Sequence, residues 1–149
     1  MRNIRLCVEY DGTEYCGWQR QENGLSIQQR IEEAIGRMTG VESRVIGSGR
    51  TDAGVHAVGQ VANFHTDSRL EERSLLMGLN SLLPPDIAVR GVREVDPSFH
   101  ARFDAKSKMY LYRICNRPVR PALERRFAWF IWEPLDLEKI VESLDLFRG

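Results

Sequence analysis

No apolar run in the sequence approaches the ~20 residues that a membrane-spanning helix needs. The first residues, Met1-Arg2-Asn3-Ile4-Arg5, lack the apolar core of a signal peptide. Cysteine is scarce and odd in number: Cys7, Cys16 and Cys115, with no C-x-x-C pair. A disulfide framework or a zinc site is therefore not expected, and a reducing, cytoplasmic setting is. Excess charge is lacking too, since 21 basic residues balance 21 acidic ones. The global balance thus offers no argument for a nucleic-acid partner. Several catalytic signatures are also missing. Gly49-x-x-x-x-Gly54 is followed by Val55-His56 rather than the Lys-Ser/Thr of a phosphate loop, and Gly47-x-Gly49-x-x-Asp52 has an acid where a dinucleotide fingerprint needs its third glycine. His56, His65 and His100 have no metal-ligand spacing and read as structural, and no Gly-x-Ser-x-Gly elbow occurs.

What is present suits a folded chain. At 149 residues and 42% hydrophobic, it is long enough to bury roughly 70% of the surface its unfolded form exposes. Ile4, Leu6, Val8 and Tyr10 alternate with Arg5, Cys7 and Glu9 as in a half-buried strand. Ser26 with Gln29 has the form of a capping box, and Ile27, Ile31, Ala34, Ile35 and Met38 follow at helical spacing up to Gly40. Val41 to Ile46 reads as a short strand. A further strand is expected from Ala57 to Thr66, with Val58, Ala62 and Phe64 on one face. A helix from about Glu71 to Leu83 stops at Pro84-Pro85. A strand from Asp86 to Val95 slips in its alternation near Gly91, the mark of a bulge.

That order is β-α-β-β-α-β, an α+β, ferredoxin-like arrangement with an antiparallel sheet, also used by RNA-recognition modules. Beyond it, Lys108 to Cys115 has apolar residues on both faces, which predicts a covered central strand with Tyr112 in the core. Phe127 to Trp132 reads as another strand, and Leu137, Ile140, Val141 and Leu144 line a third helix. Two strands and a helix look like the opening of a second half. The expected division is 1–96, a ferredoxin-like half, and 97–149, a connecting segment, a central strand and that opening. Trp18, Trp129 and Trp132 read as packing residues.

Charge is unevenly placed. Residues 100–126 hold eight cations (Arg102, Lys106, Lys108, Arg113, Arg117, Arg120, Arg125, Arg126) against Asp104 and Glu124, a net of +6. Phe103, Tyr110 and Tyr112 are interleaved with them. Such a stripe is either a solvated face or a surface for looped, single-stranded nucleic acid.

The stretch Gly47-Ser48-Gly49-Arg50-Thr51-Asp52-Ala53-Gly54-Val55-His56-Ala57 connects the second and third strands. Its glycines imply a tight, shaped loop, and Arg50 and Asp52 are either a weak surface pair or a site. A lone carboxylate with a cation beside it suits covalent attack on a sugar carbon or an activated ring. Paired acid–base hydrolysis would need a second carboxylate.

Gly49-Arg50-Thr51-Asp52-Ala53-Gly54-Val55-His56 resembles the active-site motif of the tRNA pseudouridine synthase A family. So do Tyr10-Asp11-Gly12-Thr13, Gly17-Trp18-Gln19-Arg20-Gln21, Leu79-Asn80 through Pro84, Asp86-Ile87-Ala88-Val89, Phe99-His100-Ala101-Arg102-Phe103, and Tyr110 with Tyr112. These matches keep the family's order over nearly the whole chain. The resemblance implies isomerisation of uridine to pseudouridine at positions 38, 39 and 40 of the tRNA anticodon stem-loop, with no cofactor and no metal. It implies Asp52 as the nucleophile, attacking either C1′ of the sugar or C6 of uracil. Arg50 would help flip the target nucleotide and pair with the acid. Tyr110 would pack on the target base, and Phe99, His100, Ala101, Arg102 and Phe103 would touch RNA. Arg20 is given no role.

Members of that family continue into a second half of similar fold and form homodimers, so the chain is expected to be the N-terminal portion of a longer enzyme, nearly inactive by itself. The competing expectation is a noncatalytic RNA-binding module, in which Asp52 would be dispensable.

Overall fold

The computed structural model describes residues 1–148. They form two compact units, Met1–Lys108 and the residues from Met109 onward.

In the first unit, β1 (Arg2–Tyr10), α1 (Ile27–Thr39), β2 (Ile46–Gly47), β3 (Ala57–Thr66), α2 (Glu72–Leu82) and β4 (Ile87–Val95) follow the expected β-α-β-β-α-β order. The sheet order is β2-β3-β1-β4, and every pairing is antiparallel. Alternation in β1 places Ile4, Leu6, Val8 and Tyr10 on the buried face, each at most 3% exposed. That face packs with Ile27, Ile31, Ala34 and Ile35 of α1 and Leu75 and Leu79 of α2 in one hydrophobic cluster. Both helices obtain their stability from this packing more than from propensity. The Ser26 hydroxyl caps α1 by accepting from the Gln29 N–H at 3.2 Å, and Gly40 closes the helix at φ +74°. Leu83 and the two prolines end α2 as expected.

Three local departures have physical causes. First, residues 41–45 are not a strand. The Val45 N–H donates to Glu32 Oε1 (3.0 Å) and its carbonyl accepts from Gln28 Nε2 (3.0 Å), so side chains of α1 take the bonds a strand would have used. Second, Val58 does not share the face of Ala62 and Phe64. Val8 pairs with Gln60 and Tyr10 with Ala57, leaving one extra residue in β3, and Val58 is turned out to 74% exposure. Third, the expected bulge in β4 is present: Cys7 pairs with Gly91 but Val8 with Val89, so Arg90 is skipped.

Residues 97–108 belong to the first unit. Their anchor lies on the sheet face away from the helices. Asn63 Nδ2 donates to Asn3 Oδ1 (2.9 Å), Asn63 Oδ1 accepts from the Ala101 N–H (2.9 Å), and Asn3 Nδ2 donates to the Asp96 and Phe99 carbonyls (3.0 and 2.8 Å). Both asparagines are fully buried, where an amide must be hydrogen-bonded.

The second unit holds β5 (Ile114–Asn116), β6 (Trp129–Ile131) and α3 (Leu137–Leu144). β5 and β6 pair in parallel. The Asp136 carboxylate caps α3 by accepting from the Lys139 N–H at 3.1 Å. The covered central strand expected over Lys108 to Cys115 is not formed: only Ile114 and Cys115 of it are strand. Met109, Tyr110, Leu111 and Tyr112 are 94, 68, 82 and 85% exposed, so Tyr112 is not a core residue. Among the described residues no strand pairs with 108–113, and a two-sided apolar pattern has nothing to cover it. Of the tryptophans, Trp18 is 3% exposed, whereas Trp129 and Trp132 lie near the surface at 66 and 65%.

Phe64 is fully buried at the centre of this packing. Phe64→Ala is expected to lower unfolding free energy by about 3–5 kcal/mol, read from the midpoint of urea denaturation.

Candidate active site

The glycine-rich connection between β2 and β3 is fastened on two sides by the segment that leaves β1. On the N-terminal side of Asp52, the Thr51 carbonyl accepts from the Trp18 N–H (3.0 Å). The Thr51 hydroxyl shares a hydrogen bond with Tyr10 Oη (2.9 Å). Burial, the larger influence, pushes the Tyr10 phenol up, and the Thr51 hydroxyl partly offsets it. On the C-terminal side, the Val55 N–H donates to the Asp52 carbonyl (3.2 Å), closing a turn in which Gly54 has φ +78°. The Gly54 N–H donates to the Tyr15 carbonyl (3.3 Å), and His56 Nδ1 lies 3.1 Å from the Gly12 nitrogen, which donates to it.

Two glycines make this docking possible. A Cβ on Gly12 would land on the Val55 carbonyl, and one on Gly17 on the Thr51 carbonyl. Gly17 also holds φ +87°, a region side chains reach only at a cost. Beneath the loop, the Trp18 indole fills the space where a Gly47 side chain would be, 6.0 Å between ring centroids from Tyr10. Tyr15 Oη donates to Asp86 Oδ1 (2.8 Å); burial first, then this carboxylate, push the Tyr15 phenol well above its ordinary range, so it remains a donor. Gln60 Nε2 donates to the Gly49 carbonyl, and the Ser48 N–H to the Val61 carbonyl (2.8 Å).

Asp52 is exposed at the outer end of this fastened loop, and Arg50 is exposed two residues away. Among the described residues the two form no ion pair. Lys108 adds a cation, its Nζ 3.0 Å from where a Gly49 Cβ would stand. An accessible carboxylate on a backbone held by hydrogen bonds, with cations at hand, has the chemistry to attack an electrophilic carbon. Among the described residues no group of three or more acidic, histidine or cysteine side chains could hold a metal ion. Two open grooves lie elsewhere, one along α1 and one lined by Val119 to Ala122, Arg125 and Phe130; neither is lined by a residue of the loop.

The other expected site residues fall as follows. Phe99 and His100 are half-buried, Ala101 is buried at 2%, and Arg102 and Phe103 are exposed. The His100 and Phe103 rings stack with centroids 4.1 Å apart, and the His100 N–H donates to Asp104 Oδ2 (2.8 Å). The segment therefore hangs on Ala101 and presents Arg102 and Phe103 outward. Tyr110 lies in the second unit, exposed. Of the stripe, Arg102, Lys106 and Lys108 belong to the first unit and the remaining cations to the second.

The sequence shows Tyr10 as a strand residue, His56 as structural and Gly12 and Gly17 as motif residues, but not that these four and Tyr15 fasten the loop. The signal for Gly12, Tyr15 and Gly17 was the run of glycines and aromatics after β1, which nothing in the sequence pairs with the connection between β2 and β3.

Gly17→Ala is expected to cost at least ~1–2 kcal/mol from backbone strain alone, with more from the collision with Thr51. Urea denaturation checks it; an unchanged midpoint would remove this account of the loop.

A family model described as "tRNA pseudouridine synthase" matches residues 6–104. The tRNA pseudouridine synthase A of Clostridium kluyveri is 51% identical over 149 residues, which is 100% of this chain and 61% of that protein. Its namesake in Geotalea daltonii is 54% identical with the same coverage. The tRNA pseudouridine synthase A 2 of Clostridium perfringens is 47% identical, again over 100% of the chain and 61% of the relative. The chain thus spans 61% of the length of these curated relatives.

Proposed function

Because the chain belongs to the tRNA pseudouridine synthase family, we propose that it is the nucleophile-bearing part of an enzyme converting uridine to pseudouridine at positions 38, 39 and 40 of the tRNA anticodon stem-loop. The observation that carries this reading is the exposed Asp52 carboxylate on a loop fastened on both sides. In the proposed reaction the N1–C1′ glycosidic bond breaks, uracil turns within the site, and a new bond joins C5 to C1′. The C5–H bond then breaks with its proton passing to solvent, N1 takes up a proton, and the Asp52 carboxylate is released. The reaction is a redox-neutral isomerisation, and the family resemblance implies neither cofactor nor metal for it. Asp52 forms the covalent intermediate, at C1′ or at C6.

A stacked uridine must first leave the helix, at a cost of a few kcal/mol. Arg50, exposed beside the nucleophile, is suited to hold the vacated place and to approach the acid. Tyr110 supplies a face for the flipped base, a stacking interaction worth roughly 1–3 kcal/mol by analogy with single-strand binders. The outward Arg102 and Phe103 follow the phosphate backbone and its bases, with Phe99, His100 and Ala101 completing the RNA-contacting segment. In domain terms, residues 1–96 carry the nucleophile and 97–149 bring RNA contacts and the start of a second half. The working form is a cytoplasmic homodimer of the longer chain, and residues 1–149 alone bind tRNA weakly and turn over little.

Two measurements test the proposal in a full-length protein. Asp52→Asn and Asp52→Ala should reduce tritium release from C5-labelled uridine in tRNA by about 10³-fold or more, with tRNA affinity in filter binding largely kept. Sustained release by either variant would sink the nucleophile assignment and favour a noncatalytic RNA-binding module. Arg102→Glu and Lys108→Glu should weaken tRNA binding and lower the slope of log affinity against log salt by roughly one for each phosphate that is no longer neutralised.

A further inference from the structure

Asp52 sits between two fastenings, and the second of them passes through a pair of ionisable side chains that the reaction proposed above does not use. We propose that His56 and Asp11 are positioning residues that set the place of the Asp52 carboxylate; the inference rests on the reading of Asp52 as nucleophile.

His56 Nδ1 lies 3.0 Å from Asp11 Oδ1 and 3.1 Å from the Gly12 nitrogen. A single ring nitrogen serves one of these at a time: unprotonated it accepts from the Gly12 N–H, protonated it donates to Asp11. In both arrangements the imidazole ties the end of the loop to the end of β1. Asp11 is itself held in place. Its Oδ1 accepts from the Thr13 N–H at 3.0 Å and from the Thr13 hydroxyl, and its own N–H donates to the Asp86 carbonyl at 2.9 Å. Asp86 in turn accepts from Tyr15 Oη, so β1, β4 and the loop converge on one small polar cluster.

The tie reaches Asp52 over a short backbone path. Val55, next to His56, donates its N–H to the Asp52 carbonyl, and its own carbonyl lies against Gly12. A displacement of the imidazole is therefore passed through one turn to the nucleophile. The pair also stands apart from the fully buried apolar core. Its side chains are 27 and 22% exposed and lie outside the hydrophobic cluster. The other side of the loop keeps its own fastening through Tyr10, Trp18 and Thr51. Loss of His56 should loosen the aim of Asp52 while the fold survives.

The experiment compares wild type with His56→Ala, His56→Asn and Asp11→Asn in a full-length protein. It measures kcat and KM for tritium release from labelled tRNA, and Tm. His56→Ala should lower kcat by about tenfold or more, since a misplacement of ~1 Å can cost up to 10²-fold. Asp11→Asn, which leaves the bond from the Gly12 N–H to the imidazole, should lower it less. KM and Tm should stay near the wild-type values. His56→Asn, whose amide oxygen can accept from Gly12 where Nδ1 did, should recover most of the missing kcat. Three results overturn the proposal: an unchanged kcat in His56→Ala, a change in KM alone, or a fall in Tm that accounts for the reduced activity. Absence of release by the wild type would instead overturn the functional reading, and this inference with it.

Discussion

Backbone meets backbone where the segment leaving β1 crosses the connection between β2 and β3. Gly12 lies against the Val55 carbonyl and Gly17 against the Thr51 carbonyl, at separations no side chain would permit. Hydrogen bonds from Trp18 to Thr51 and from Gly54 to Tyr15 then use polar groups that close packing would otherwise leave unpaired. An exposed loop is thereby made part of the scaffold. Its carboxylate is surface-accessible and its backbone is not free to wander, which is the combination covalent attack on a large substrate requires.

A second constraint acts on the opposite face of the sheet. Alternation in β1 and β3 puts hydrophobic side chains toward the helices and leaves Asn3 and Asn63 on the other side, fully buried. Their amides are satisfied by one another and by the backbone of 96–101. Removing either partner would strand a buried polar group, typically ~1–3 kcal/mol. The same bonds deliver Arg102 and Phe103 to the surface directly after the buried Ala101. One sheet thus serves two ends. Its apolar face holds the helices, and its polar face hangs the segment proposed to meet RNA.

The two units differ in how legible they were. In the first, β1, both helices and β4 with its bulge follow from hydrophobic period, capping and proline. These are local signals, and the core agrees with them. Errors arose where a partner was decisive. Val45 looks like a strand residue, but Gln28 and Glu32 of α1 claim its backbone. Val58 fits the alternation until an extra residue in β3 shifts the register. In the second unit, residues 109–113 carry the pattern of a covered strand without a described strand beside them, and Tyr110 and Tyr112 stand exposed.

The candidate site divides in the same way. Sequence by itself determined the loop, the identity of Asp52 and Arg50, and the family the motifs resemble, because these depend on residue type and short spacing. It also determined the β-α-β-β-α-β order of the first unit, since β1, α1, β3, α2 and β4 carry their own periods; the two-residue β2 does not. Tertiary structure alone decided that Tyr10, Gly12, Gly17, Trp18 and His56 fasten that loop, from positions more than thirty residues earlier in the chain for all but His56. Spacing along the chain carries no record of such contacts. They exist because antiparallel β1 and β3 pair along their length, with Tyr10 opposite Ala57, and so bring the turn after one strand to the loop before the other.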